Sequence, residues 1–164
     1  MNTATAEKQT SQVITSTELL AHWQGHRGLT RKVIEAFPEK ELFEFSLGGM
    51  RPFAALVQEI LAISAPGLRE IVYGKTETLN EHLDQATSKA NILALWDEAT
   101  EAINGYWQQI PDERFHDSIL AFGMYEGTVL SSILYYIDNE IHHRAQAFVY
   151  LRSLGIEPPA FWDR

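Results

Sequence analysis

The short run from Asp138 to Arg144 places acids, an amide, two imidazoles and a guanidinium in an otherwise apolar segment. Side chains of these types there form either a site or a buried polar network, because polar groups withdrawn from water need partners. At about 100° per residue, helix positions four apart lie almost above one another, so Asn139 and His143 project to the same side while His142 diverges from it. Asn139 and His143 can share a ligand; the alternative for His143 is a hydrogen-bonded core histidine. Ile133, Leu134, Ile137, Ile141, Phe148 and Leu151 form the main apolar stripe of this helix, and Tyr136, Asn139, His143, Gln146 and Tyr150 form a second, polar-aromatic face. No lysine occurs after Lys89. A helix with two faces turned from solvent has neighbours on both sides, which implies a groove or a subunit contact.

Glu59 is a second anomaly, since Ala55, Leu56, Ala62 and Ile63 around it are apolar. A carboxylate held there must be protonated, ion-paired or metal-bound. Arg144 is one cation that could neutralise it, and a helix rotated to wet Glu59 is the other way out. His22 and His26 make the spacing H-x-x-x-H, which can chelate zinc or a similar ion from one helix face. Trp23 stands where a metalloprotease would carry glutamate, so that motif is absent and a polar helix flank is the competing interpretation. No Ser-His-Asp order, phosphate-binding glycine loop or dinucleotide fingerprint is present.

These residues sit in a chain of 164 residues, 45% hydrophobic, which is enough for one good core and too short for two ordinary domains. The formal charge of -9 lacks the Lys/Arg footprint that binds phosphate backbones, so nucleic acid is not an expected partner. With no cysteine, any metal must be held by imidazole, carboxylate, amide or water. The polar start MNTATAEKQTSQ lacks a signal-peptide core, and no apolar run approaches membrane-spanning length; a soluble cytoplasmic protein is the expectation.

Four elements must position the polar groups. Residues 1–14 form a flexible lead-in, and residues 15–164 form one domain whose first helix, from about Ser16 to Phe37, is announced by a capping box at Thr15 and Glu18. Residues 39–50 are expected as a connecting loop. Pro52 suits the start of a second helix carrying Phe53, Leu56, Val57, Ile60 and Ile63, with Pro66 kinking or interrupting it. The third helix is expected over about Lys89–Gln109 and the fourth over about Tyr125–Leu154, stopped by Gly155 and the prolines beyond. No strand-like alternation competes, so the pattern predicts an all-α four-helix bundle whose topology the loop lengths leave open.

The last helix and its tail resemble the DinB/YfiT-like family, whose members end in an HHRGQ segment followed by YLR, Leu-Gly and Pro-Pro. The matching residues are His142, His143, Arg144 and Gln146, then Tyr150, Leu151 and Arg152, then Leu154, Gly155, Pro158 and Pro159. The resemblance implies an up-down-down-up bundle, a homodimer, and a divalent ion such as Ni or Zn held by three histidines; for this chain the expectation is one divalent ion, Ni, Zn, Mn or Fe, or none. Carried over, His143 is the last ligand, Asn139 stands at the first histidine of the last-helix pair, and Glu59 aligns with the second-helix histidine. One imidazole of three remains, with His22 or His26 as alternate ligands. A Glu-Asn-His set would bind a divalent ion more weakly and with a harder preference. In a metal-dependent enzyme of thiol-dependent transferase, isomerase or hydrolase type, His142, Glu140 and Arg144 are the candidate catalytic residues. The alternative is a non-catalytic, metal-free dimer in which Glu59, Asn139, His143 and Arg144 close a hydrogen-bond network under a small-molecule pocket.

Overall fold

The computed structural model describes residues 13–164, so the expected lead-in, apart from Val13 and Ile14, lies outside the described residues. Helix α1, Ser16–Ala36, begins at the expected capping box, with the Thr15 hydroxyl accepting from the Glu18 backbone N–H and the Glu18 carboxylate accepting from the Thr15 N–H. A short helix α2, Glu39–Glu44, replaces part of the expected loop and buries Leu42. Helix α3, Phe53–Tyr73, runs unbroken through Pro66, against the expected interruption, and ends at Gly74 in the left-handed conformation. Pro66 forgoes one backbone bond, but the helix is held by burial of apolar side chains on both sides of it, including Ile63, Ala65 and Leu68. Helix α4 spans Lys89–Trp107. Strands β1, Ser118–Ala121, and β2, Tyr125–Thr128, then form an antiparallel hairpin where no strand was expected. Helix α5, Val129–Ser153, therefore starts after the hairpin, capped by Thr128.

The four long helices pack as a bundle in which α1 lies against α4 and α5, and α3 lies against the same two. In one layer, Leu19 and Trp23 of α1 share a core with Ile71 of α3, Trp107 of α4 and Ile137 of α5. In the other, Val33 and Phe37 meet Phe53, Trp96 and Leu151. Chain direction through these layers makes α1 and α5 run one way and α3 and α4 the other, which is the up-down-down-up order. Each fully buried Leu, Ile or Phe contributes roughly 1.5–3 kcal/mol, so the two layers supply most of the driving force.

Polar groups set the register between α1 and α5. Glu140 is fully buried, accepting from Thr30 Oγ1 at 2.6 Å and from Trp23 Nε1 at 3.3 Å. Arg27 Nη1 lies 3.7 Å from one Glu140 oxygen and Arg144 Nη1 3.8 Å from the other. Arg27 also stacks on Trp96 of α4, 3.9 Å from the ring centroid, and donates to Thr100 Oγ1 and the Trp96 carbonyl. Burial lowers the Arg27 guanidinium to about 10, partly opposed by Glu140, and it remains a cation at neutral pH. Burial pushes the Glu140 carboxyl up, against the pull of Arg27, Thr30, Arg144 and Trp23.

Removing one partner of a buried charge pair leaves the other uncompensated. Glu140→Ala is expected to destabilise the bundle by about 3–5 kcal/mol in urea unfolding, and a loss under about 1 kcal/mol would show that Arg27 and Arg144 are neutralised in another way. Burial, with Arg144, His22 and Arg164 nearby, lowers His26 from 6.5 to about 4. Between those values the unfolded chain binds a proton that the folded chain refuses, so stability falls as pH drops from about 6.5 to about 4, by up to about 3 kcal/mol. In His26→Gln this part of the pH dependence of Tm should flatten; an unchanged slope would assign it to other groups.

Candidate functional site

On the α3 side of α5, three sequence-selected residues converge. Asn139 and His143, one turn apart on α5, both reach Glu59 of α3: Asn139 Nδ2 donates to Glu59 Oε1 at 2.8 Å, and His143 Nε2 donates to the same oxygen at 2.9 Å. The other carboxylate oxygen accepts from the Arg51 guanidinium. Burial pushes the Glu59 carboxyl up, but the hydrogen bonds from His143, Arg51 and Asn139 together outweigh it and hold it at about 2. Glu59 is thus an ionised acceptor of three hydrogen bonds, with capacity left on the cavity side.

The sequence pattern does not single out Arg51. It is the single cation between Lys40 and Arg69, which is the signal that could have marked it as the counter-charge of Glu59. Pro52 restricts its backbone to extended conformations. The buried Tyr150 of α5 then fixes its position, donating from its hydroxyl to the Arg51 carbonyl at 3.0 Å.

The expected cation for Glu59, Arg144, is turned elsewhere. It follows His143 by one residue, hence by about 100°, and points to α1, where it bonds the His26 carbonyl, Thr30 Oγ1 and His26 Nδ1. Glu140 lies in that same α1-facing network. His142 is exposed and paired with Gln146 Nε2 at 3.0 Å. None of the three candidate catalytic residues bonds to Glu59 among the described residues. The alternate ligands His22 and His26 are 3.2 Å apart through their Nε2 atoms, but they accompany two guanidiniums, Arg144 and Arg164, and not Glu59.

The donors at Glu59, as arranged, do not fit a divalent ion. Arg51 already places a positive charge on the carboxylate, and Asn139 turns its amide nitrogen, not its oxygen, toward the pair, as a neighbouring carboxylate requires. A metal-bound histidine usually donates its second ring N–H to an acceptor, whereas buried His143 Nδ1 has no partner among the described residues. No cluster of three or more His, Cys, Asp or Glu side chains is placed to hold a metal ion among the described residues.

Glu59 opens onto a cavity of about 330 Å³ walled by Ile63, Phe122, Tyr125, Tyr135 and Tyr136, with Glu126 on its lining. The hairpin builds one wall. Phe122 sits in the left-handed region at φ 54°, a strained conformation for a non-glycine residue, and its N–H donates to both oxygens of Glu70 at 3.1 Å. Tyr136 reaches its place because Gly67 has no side chain: a Cβ there would lie 2.6 Å from the tyrosine ring.

Comparison with known proteins agrees with this architecture. The model of the DinB family matches residues 1–163. The fold is similar to a DinB-like protein from Bacillus cereus ATCC 10987, at 17% identity and a TM-score of 0.72, covering 89% of this chain and 97% of that one. It is also similar to a DinB-like protein from Bacillus subtilis, at 20% identity and a TM-score of 0.68, covering 89% and 99%. Among curated proteins the search finds no match. No helix among the described residues is long and apolar enough to cross a membrane. With a family match over nearly the whole chain and an up-down-down-up bundle, the chain belongs to the DinB family.

Proposed function

We propose that this DinB-family protein is a homodimer that binds a small molecule in the cavity beside Glu59, without a resident divalent ion. The observation that carries this reading is the Arg51–Glu59 ion pair, closed by donation from Asn139 and His143. Arg51 supplies, at that carboxylate, the positive charge that a metal would bring. A cation entering there must compete with Arg51, and a Glu-Asn-His set is a weak competitor. The cavity itself suits a ligand with an apolar body and a hydrogen-bond donor or cationic end, because aromatic walls meet the carboxylates of Glu59, Glu81 and Glu126. Dimerisation is supported by the outer face of α5, where Leu134, Tyr135 and Val149 are exposed apolar or aromatic side chains.

Metal analysis of protein expressed with added Ni, Zn, Mn and Fe, before and after chelation, is expected to give far less than one ion per chain. One tightly held equivalent would overturn the reading and favour the metal-dependent enzyme, for which the convergence of Glu59, Asn139 and His143 is the supporting observation. The double variant Glu59→His with Asn139→His restores three imidazoles and frees Arg51. It should bind Ni or Zn near stoichiometry, with affinity at least about tenfold above the parent chain. Sedimentation equilibrium at micromolar concentration should give twice the chain mass, and a monomer would remove the dimer.

A further inference from the structure

The α1-facing side of α5 holds polar atoms that the cavity at Glu59 does not use. His26, Arg144 and Arg164 line a separate cavity of about 450 Å³ together with Ile141, Phe148 and Phe161. His26 and Arg144 are buried members of the bundle core. Arg164 is brought to them by the C-terminal segment, which Lys32 Nζ ties down by donating to Asp163 Oδ2 at 2.8 Å and to the Asp163 carbonyl at 3.2 Å. Gly25 leaves room for this segment, since a Cβ there would lie 3.2 Å from Arg164 Cβ.

The donors in this cavity outnumber the acceptors. Arg144 Nη2 lies 2.9 Å from His26 Nδ1, and Arg164 Nη1 lies 2.9 Å from His26 Nε2. A guanidinium only donates, and a neutral imidazole has one accepting nitrogen. His26 therefore satisfies one arginine. When Nδ1 accepts from buried Arg144, Nε2 carries the proton and donates to His22 Nε2 at 3.2 Å, and Arg164 is left without a side-chain acceptor among the described residues. Arg144 uses three N–H groups, all on neutral acceptors, which leaves two of a guanidinium's five.

Charge is out of balance in the same direction. Arg27 and Arg144 share one buried carboxylate, Glu140, which does not line the cavity, and Arg164 has no carboxylate partner among the described residues. This cationic excess occurs in a chain of formal charge -9. An anion would supply the missing acceptors and the missing charge, and guanidinium forks match carboxylate and phosphate oxygens. Phe148, Phe161 and Ile141 would cover an apolar group attached to it.

We infer that this second cavity binds a small organic anion, with a carboxylate or phosphate-monoester head on Arg144 and Arg164 and an apolar group against Phe148 and Phe161. Isothermal titration of the full chain with phenyl phosphate, 3-phenylpropionate, inorganic phosphate and 3-phenylpropan-1-ol tests this. Either aryl anion should bind saturably in the micromolar to millimolar range, at least about tenfold more tightly than the alcohol. Whichever of the two binds more tightly identifies the head group. Arg164→Gln, an exposed position that leaves the core intact, should weaken the aryl anion about tenfold, while Phe148→Ala should weaken phenyl phosphate and leave inorganic phosphate unchanged. Equal binding of the alcohol, an affinity unaltered in both Arg164→Gln and Arg144→Lys, or no saturable anion binding would overturn the proposal. These outcomes are independent of the cavity at Glu59, which a Glu59→Gln control leaves as the only site altered.

Discussion

A carboxylate inside a helical core is tolerated only where cations and hydrogen-bond donors surround it, and that requirement at Glu140 governs how α1, α4 and α5 meet. Glu140 is reached by Trp23, Arg27 and Thr30 from α1 and by Arg144 from its own helix. Arg27 continues the connection to α4 by stacking on Trp96 and donating to Thr100. Sliding α1 along α5 by one turn would separate these partners and strand several charges. Apolar packing supplies the bulk of the stability, and it tolerates such slips better than a buried ion network does.

The register fixed in this way has consequences on the opposite flank of α5. Asn139 and His143 precede Glu140 and Arg144 by one position each, so each pair is rotated from the other by about 100° and the two pairs address different neighbours. One flank faces Thr30, His26 and Arg27, and the other faces Glu59. The helix thereby serves as the shared wall of two polar centres. In the first, cations exceed carboxylates; in the second, a single carboxylate collects Arg51, Asn139 and His143.

Much of the bundle was legible beforehand because its signals are local. The capping box at Thr15, the apolar periods of the four long helices and the glycine at 155 depend on neighbours a few residues away. The hairpin was not legible, since its strands are four residues each and lack a clean alternation of apolar and polar side chains. Pro66 does not interrupt α3 for a related reason: a proline weakens a helix locally, while the burial that keeps α3 continuous is contributed by other helices. Glu59, Asn139 and His143 were recognisable as displaced polar residues on apolar helices. Arg51 was hidden because a loop cation shows no periodicity and its partner lies beyond its own turn.

What the amino-acid sequence determined by itself was the four long helices, the family signature in its last segment, and the fact that several polar side chains had to be buried. Helix period and capping are short-range properties, and the cost of burying charge follows from composition and apolar surroundings alone. Which charge meets which was decided only by tertiary structure. Glu59 and Arg144 were plausible partners on paper, yet the rotation of α5 sends Arg144 to His26 and Thr30 and leaves Glu59 to Arg51, which Tyr150 pins from 99 residues along the chain. Ion pairs depend on distances between elements, and those distances exist only once the helices have packed.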